Sequence, residues 1–214
     1  MVQGIYEVIY YHVRLKEYIR KEEQVKQFRI QAQLDTLRNQ SQPHFLFNTL
    51  NTLRDIIDQE SKETTKKFVD QLSEIYRFIL ESKHQDLVSL SEELKFAKAY
   101  LHIQQERFGD NLQVVWQIAQ SGNNHKIVPM SIQLLIENVI KHNIISKSKP
   151  LQIRIEMATE QLIVSNTLQP KSSIVPSTKK GLENICKRYQ LIAKRLPSIK
   201  QTEDQFIVSL PLLT

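Results

Sequence analysis

The sequence predicts an α+β protein in two parts. A long N-terminal helical hairpin, assembling as a dimeric four-helix bundle, precedes an α/β-sandwich domain. Three observations predict this. Apolar residues recur at three- and four-residue steps as far as Glu81, alternating β-branched stretches begin only at Leu112, and 214 residues hold just four glycines. Few glycines and helical spacing favour long helices over tight turns. The polar stretch Ser82 to Asp86 marks the boundary, so residues 1–84 form the helical part and 85–214 the mixed domain.

From Ile5 to Asn39 the chain has no Pro or Gly, and charged residues dominate. Tyr11, Leu15, Tyr18 and Val25, then Ile30, Leu34 and Leu37, form a broken heptad with a phase slip near Phe28, the pattern of a helix pairing with a copy of itself. The seam continues through Leu46, Leu50, Leu53 and Ile57. Folding back on its own chain is the plain alternative. After a polar turn at Gln59–Thr64, a second helix from Thr65 to Glu81 carries Phe68, Leu72, Ile75 and Ile79 on one stripe. Two such hairpins make a four-helix bundle.

In the second part Ser89 and Glu92 form an S-x-x-E capping box, opening a helix that runs to Phe108. Leu112–Ile118 alternates as a strand with Trp116 inward, and Gly122–His125 is a turn. Pro129 occupies the first turn of a helix reaching His142. Strands follow at Leu151–Met157 and Gln161–Ser165. Thr167–Lys180 lacks periodicity and reads as a lid loop. A helix from Leu182 to Lys194 and a strand at Gln205–Leu210 end the chain.

The net charge is +6, but the basic residues are scattered and form no nucleic-acid tail or motif, so a nucleic-acid partner is not expected. The lone Cys186 excludes an internal disulfide, fits a reducing compartment, and reads as core packing. No apolar run approaches the roughly 18 residues of a membrane span, and the first residues lack a signal-peptide pattern.

Three stretches carry chemistry. In Gln42-Pro43-His44-Phe45-Leu46-Phe47-Asn48-Thr49-Leu50-Asn51, helical geometry puts His44, Asn48, Asn51 and Asp55 opposite the apolar seam, offering an outward imidazole to a docking partner. Pro43 loosens the helix just before it. A solvated surface histidine is the plain alternative. In Ile132–Asn143, Ile132, Leu135, Ile136 and Val139 form the buried side, with Asn138 and Lys141 opposite: an amide oxygen for a metal ion beside an ammonium for a phosphate. Adjacent Glu137 is placed to hold a water or an ion; a polar helix face with a Glu137–Lys141 pair is the alternative. In Lys179-Lys180-Gly181-Leu182, a glycine opening a helix lets a phosphate approach backbone donors, with two lysines adding charge.

In this order the stretches resemble LytS-type sensor histidine kinases. Pro43–Asn51 resembles their phospho-acceptor box, Leu87–Leu94 and Tyr100–Phe108 the linker into the ATP domain, Leu135–His142 the N box, and Gly181–Arg188 the G2 region. The resemblance runs from about Gln31 to the end of the chain. It implies a Bergerat-type ATP-binding domain, with a mixed sheet, helices on one face and a mobile lid. It further implies that ATP and Mg²⁺ are used, that His44 is the phosphorylated residue with Asn48 one turn on fixing its tautomer, and that Asn138 is the Mg²⁺ ligand. Lys141, His142, Lys179, Lys180, Gly181 and Leu182 would neighbour the nucleotide, and Asn166 would meet the adenine edge. A homodimer, a response-regulator partner and a cytoplasmic position, with a parent protein tethered to the inner membrane, are also implied. Free histidine titrates near 6.5, so a neutral imidazole is available at pH 7 to attack a γ-phosphorus.

Two departures stand out. The adenine box reads Ile163-Val164-Ser165-Asn166-Thr167-Leu168-Gln169, with a neutral Asn for the usual Asp and no glycines, and Lys179 replaces the first glycine of G2. The alternative is therefore a non-catalytic dimeric adaptor of the same fold, working by contact.

Overall fold

The computed structural model describes residues 14–16, 19–20, 42–59, 61–82, 85–118, 125–171 and 180–214; the side chains of 42–48, 55, 59 and 180 lie outside the description. Contacts divide the chain into two units, Met1–Gln40 and Ser41–Thr214. In the first unit the described residues are helical and exposed, including Leu15 and Ile19. The heptad helix expected over Ile5–Asn39 otherwise falls outside the described residues.

The second unit opens with α1 (Gln42–Gln59) and α2 (Lys62–Ser82). The α2 stripe is where the periodicity put it: Phe68, Ile75 and Ile79 are buried, and Leu72 packs against the core. In α1 the inward side is set by Thr49 and Ile56, with Leu53 packed against the core, whereas Leu50 and Ile57 are exposed. Of the three described seam residues of α1, two therefore stay exposed and one packs on the core.

A two-residue strand β1 (Val88–Ser89) leads into α3 (Leu90–Phe108). The expected capping box is present, with Glu92 N–H donating to Ser89 Oγ at 3.2 Å and Ser89 N–H donating to Glu92 Oε2 at 3.1 Å. Helix α3 packs on α2, where the rings of Phe78 and Phe96 stack at 4.4 Å and Lys95 pairs with Glu74 at 3.4 Å. It also packs on the helix that follows the sheet's first strand. Contacts therefore hold 42–82 and the sheet in one unit.

A 3₁₀ turn (Gly109–Asn111), with Gly109 at φ 55, feeds β2 (Leu112–Gln117). After the short β3 (Lys126–Ile127) come α4 (Ser131–His142), β4 (Leu151–Ala158), β5 (Gln161–Thr167), α5 (Lys180–Ile192), β6 (Ser198–Gln201) and β7 (Gln205–Pro211). The five-stranded sheet runs β2-β4-β5-β7-β6, with β2 parallel to β4 and the other neighbours antiparallel; β1 and β3 pair separately. Alternation buries Ile153, Ile155, Leu162, Val164, Val208 and Leu210 in the same core as Ile132, Leu135 and Ile136 of α4 and Ile185 and Tyr189 of α5. Burying each such aliphatic side chain contributes about 1.5–3 kcal/mol. Trp116 is half-buried against this core rather than enclosed, with the Lys98 ammonium 5.4 Å from its ring centre.

Four details differ from the sequence reading. Pro129 lies in a turn before α4, not in its first turn, because Met130 adopts a left-handed conformation at φ 63 and serves as the N-cap. Helix α5 starts at Lys180 and ends at Ile192, with Lys194 at φ 52 turning the chain into β6. The β1–β3 ladder and β6 had no sequence signal; all four β6 residues are exposed. The loop expected over Thr167–Lys180 is described only to Lys171, and the turn at Gly122–His125 only at His125.

Candidate functional site

One cavity of about 680 Å³ lies between α4, the sheet and α5, within the usual range for small-molecule sites. Helix α4 contributes Leu135, Asn138, Val139 and His142, at spacings that define one helical face. Asn138 thus shares the apolar cavity face with Leu135 and Val139, correcting the expectation that it stands opposite them. Lys141, expected beside it, is exposed and is not among the residues lining the cavity. The helical turn places it on the solvent flank, about 60° from Asn138.

The other walls are Val164 and Asn166 of β5, Leu182, Glu183 and Cys186 of α5, and Ile199, Phe206 and Val208 of the last two strands. Asn166 is buried, and its side-chain amide donates to Thr167 O at 2.6 Å. Leu182 is half-buried on the wall. Cys186, expected as core packing, is half-buried and faces the cavity, and burial raises its thiol. Sequence reasoning passed over it because a cysteine in an apolar helix pattern reads the same whether it meets core or cavity.

Asn138 is the polar centre of the α4 wall. Its Nδ2 is buried and has no hydrogen-bond partner among the described residues. The backbone of Gly181 passes so close that a Cβ there would stand 2.6 Å from Asn138 Oδ1 and 2.7 Å from Nδ2. Of the other G2 residues, Lys179 lies outside the described residues, and Lys180 starts α5 with its side chain undescribed. Glu137 is half-buried next to Asn138, and its charge adds to the burial that raises the Tyr100 phenol.

At the far end of α4, His142 is held below the ordinary imidazole pKa, by desolvation first and then by Lys141 and Lys171. Lys171 Nζ donates to the carbonyls of Ile140 and Lys141 at 3.2 and 3.0 Å, placing a cation on the negative end of the helix. Asn143 and Gln169 tie the same end to the segment after β5: Asn143 Oδ1 accepts from Gln169 N–H at 2.9 Å, and Gln169 Nε2 donates to Ile144 O at 2.6 Å.

His44 and Asn48 fall within α1, and their side chains lie outside the described residues. The described residues therefore bring together Asn138, His142, Asn166, Gly181 and Leu182, and the relation of His44 to them is not among the described contacts.

A mixed sheet with an amide-centred cavity between two helices, following a helical segment that carries Pro-His-Phe-Leu-Phe-Asn, is the make-up of a histidine kinase core. The histidine kinase family model matches residues 32–112, and the chain resembles LytS-type sensor histidine kinases. It is similar to sensor protein LytS of Enterococcus faecalis, 34% identical over 131 residues that cover 61% of this chain and 22% of that protein. It is also similar to sensor protein kinase HptS of Staphylococcus aureus, 33% identical over 155 residues, covering 71% of this chain and 30% of that one. The matched part thus spans less than a third of the length of these relatives. Among solved structures, the catalytic domain of histidine kinase ThkA superposes with a TM-score of 0.39 at 16% identity, over 58% of this chain and 93% of that one.

Proposed function

We propose that the chain is the kinase portion of a sensor histidine kinase: it binds MgATP in the α4–α5 cavity, transfers the γ-phosphoryl group to His44, and passes it to an aspartate of a response regulator. In this reading residues 1–84 dimerise and carry the acceptor, and 85–214 bind the nucleotide. The observation that carries it is Asn138, whose Nδ2 is buried without a partner among the described residues, on the wall of an apolar cavity of nucleotide size. A buried polar group without a partner costs about 1–3 kcal/mol, a cost that a phosphate oxygen accepting from Nδ2 would offset, with Oδ1 left for the metal.

The residues fit the group that the family uses. Asn138 would hold Mg²⁺ through its amide oxygen, and the bound ion would neutralise charge on the phosphates. Gly181, lacking a side chain, lets the start of α5 close onto the Asn138 amide, and phosphates would meet the backbone donors of that helix start. Lys180 and Lys179 add charge on that side, and Lys141 reaches from the solvent flank. The half-buried His142 is kept neutral by its surroundings, so it serves as a hydrogen-bonding group and adds no positive charge. Asn166 uses its amide N–H on Thr167 O, which leaves Oδ1 as an acceptor for the amino edge of adenine. Asn48, one turn from His44, fixes which ring nitrogen is free for in-line attack. Exposed Leu50 and Ile57 on α1, with Val69 and Leu80 on α2, support a homodimer whose bundle covers them. A cytoplasmic position fits this role, with a parent protein tethered to the inner membrane.

Calorimetric titration with MgATP tests the reading. Saturable binding, weakened at least tenfold by Asn138→Ala, is expected. Binding by neither protein would favour the non-catalytic adaptor.

A further inference from the structure

Helix α4 carries the amide centre of the cavity, yet its own N-terminus has no local cap. The N-cap residue is Met130, which has no side-chain oxygen to offer and makes no side-chain cap hydrogen bond. It is held in the left-handed region at φ 63, a conformation costly for a non-glycine residue.

The missing acceptors come from another helix. Glu93 of α3 is fully buried, and its two carboxylate oxygens divide the buried donors: Oε2 accepts from Met130 N–H at 2.8 Å and Oε1 from Ile132 N–H at 3.0 Å. These bonds span 37 and 39 residues of sequence. A carboxylate at the positive end of a helix dipole is the favourable sign. Arg188 of α5 is buried and its charge acts on Glu93, and the buried Tyr189 belongs to the same cluster. Helices α3, α4 and α5 therefore meet at one side chain. On α3, Glu93 lies within one turn of Lys95 and Phe96, which touch Glu74 and Phe78 of α2.

We infer that Glu93 is a positioning residue of the nucleotide site: by capping α4 from α3 it sets where Asn138, two turns further on, presents its amide to the metal. Glu93 does not line the cavity, so it acts through the helix and not on the ligand. The inference rests on the kinase reading for the identity of the ligand, but not for the cap itself.

The test compares wild type with Glu93→Gln, which presents an NH₂ group where an N–H donor needs an acceptor, and with Glu93→Asp, one methylene short. Dissociation constants are measured for ATP with Mg²⁺ and for ATP in EDTA, alongside amide hydrogen exchange at Met130 and Ile132. At least a tenfold loss confined to the Mg²⁺ form is expected, with at least tenfold faster exchange at both amides. General destabilisation would weaken both forms of ATP alike. An equal loss for both forms, or no loss, overturns the positioning role. Should Glu93→Gln fail to fold, Glu93→Asp decides by the same readouts. Should the wild type bind neither form, the kinase reading fails separately; unchanged exchange in the variants would then overturn the cap, and faster exchange would uphold it.

Discussion

The backbone of Gly181 rests directly on the side-chain amide of Asn138: a β-carbon at 181 would lie 2.6 Å from Oδ1, 2.7 Å from Nδ2 and 3.0 Å from Cγ. Helices α4 and α5 thus meet, beside the cavity, across an amide and a residue without a side chain. Gly181→Ala sets two effects against each other. Alanine favours the helix by roughly 0.5–1 kcal/mol, while forcing a methyl group into the amide costs about 1–3 kcal/mol. Crowding wins, so a net loss of about 1 kcal/mol in urea unfolding is expected, with MgATP affinity falling about tenfold as Asn138 is displaced. An unchanged affinity would show that this contact does not shape the site.

Asn138→Ala should separate stability from binding. Its Nδ2 is buried with no partner among the described residues, so removing it relieves a cost of about 1–3 kcal/mol and gives up packing of similar size. The melting temperature is expected to stay within a few degrees of wild type while MgATP binding is lost. A collapse in stability would make the amide a structural element instead.

Glu93 gives stability a pH dependence of unusual sign. Burial, opposed by the backbone donors and Arg188, raises its carboxyl from 4.5 to about 7. The folded state therefore holds a proton that the unfolded state has released, and the Glu93 contribution declines as pH rises between those values. The full difference is of order 3 kcal/mol. Urea unfolding from pH 5 to pH 8 should show wild type losing stability relative to Glu93→Gln, with the gap levelling off above pH 7. A gap that does not change with pH would mean that the carboxyl titrates normally.

The α4 C-terminus supplies a fourth test. Lys171→Ala removes the ammonium that caps the carbonyls of Ile140 and Lys141, at a cost of about 0.3–1 kcal/mol for a partly exposed cation on a helix end. Lys171 also contributes to holding His142 low, so the His142 titration followed by NMR should move upward in the variant. A downward or absent shift would contradict the assigned contact.

Leu50 and Ile57 are among the exposed large hydrophobic residues of α1. Leu50→Glu with Ile57→Glu is expected to convert a dimer to monomers by light scattering while leaving the intrachain core intact. A variant that remains dimeric would place the interface elsewhere.

Much of this architecture is legible in the sequence because a single chain buries the residues that its periodicity marks. Phe68, Ile75 and Ile79 do so on α2, the Ser89–Glu92 box starts α3, and the β-branched runs become β2, β4, β5 and β7. The same logic fails on α1, where Leu50 and Ile57 are apolar but exposed and Thr49 is polar but buried. Periodicity cannot tell a face that meets its own chain from one that is left open. Strand β6 escapes notice because its four residues are exposed and carry no alternation. At the site, Asn138, His142, Asn166 and Leu182 line one cavity. Asn138 nevertheless reads from sequence as opposite Leu135 and Val139 but shares their face, since an amide among aliphatics marks no side until the cavity is seen. Glu93 gave no sign because its partners are backbone donors more than thirty residues away, and backbone geometry leaves no mark in residue type.

The central claim is that a phosphoryl group from ATP arrives on His44. Incubation with γ-labelled ATP and Mg²⁺, with wild type beside His44→Ala, tests it most directly. Acid-labile, alkali-stable label on wild type alone is the expected result, and label that persists on His44→Ala would contradict the account.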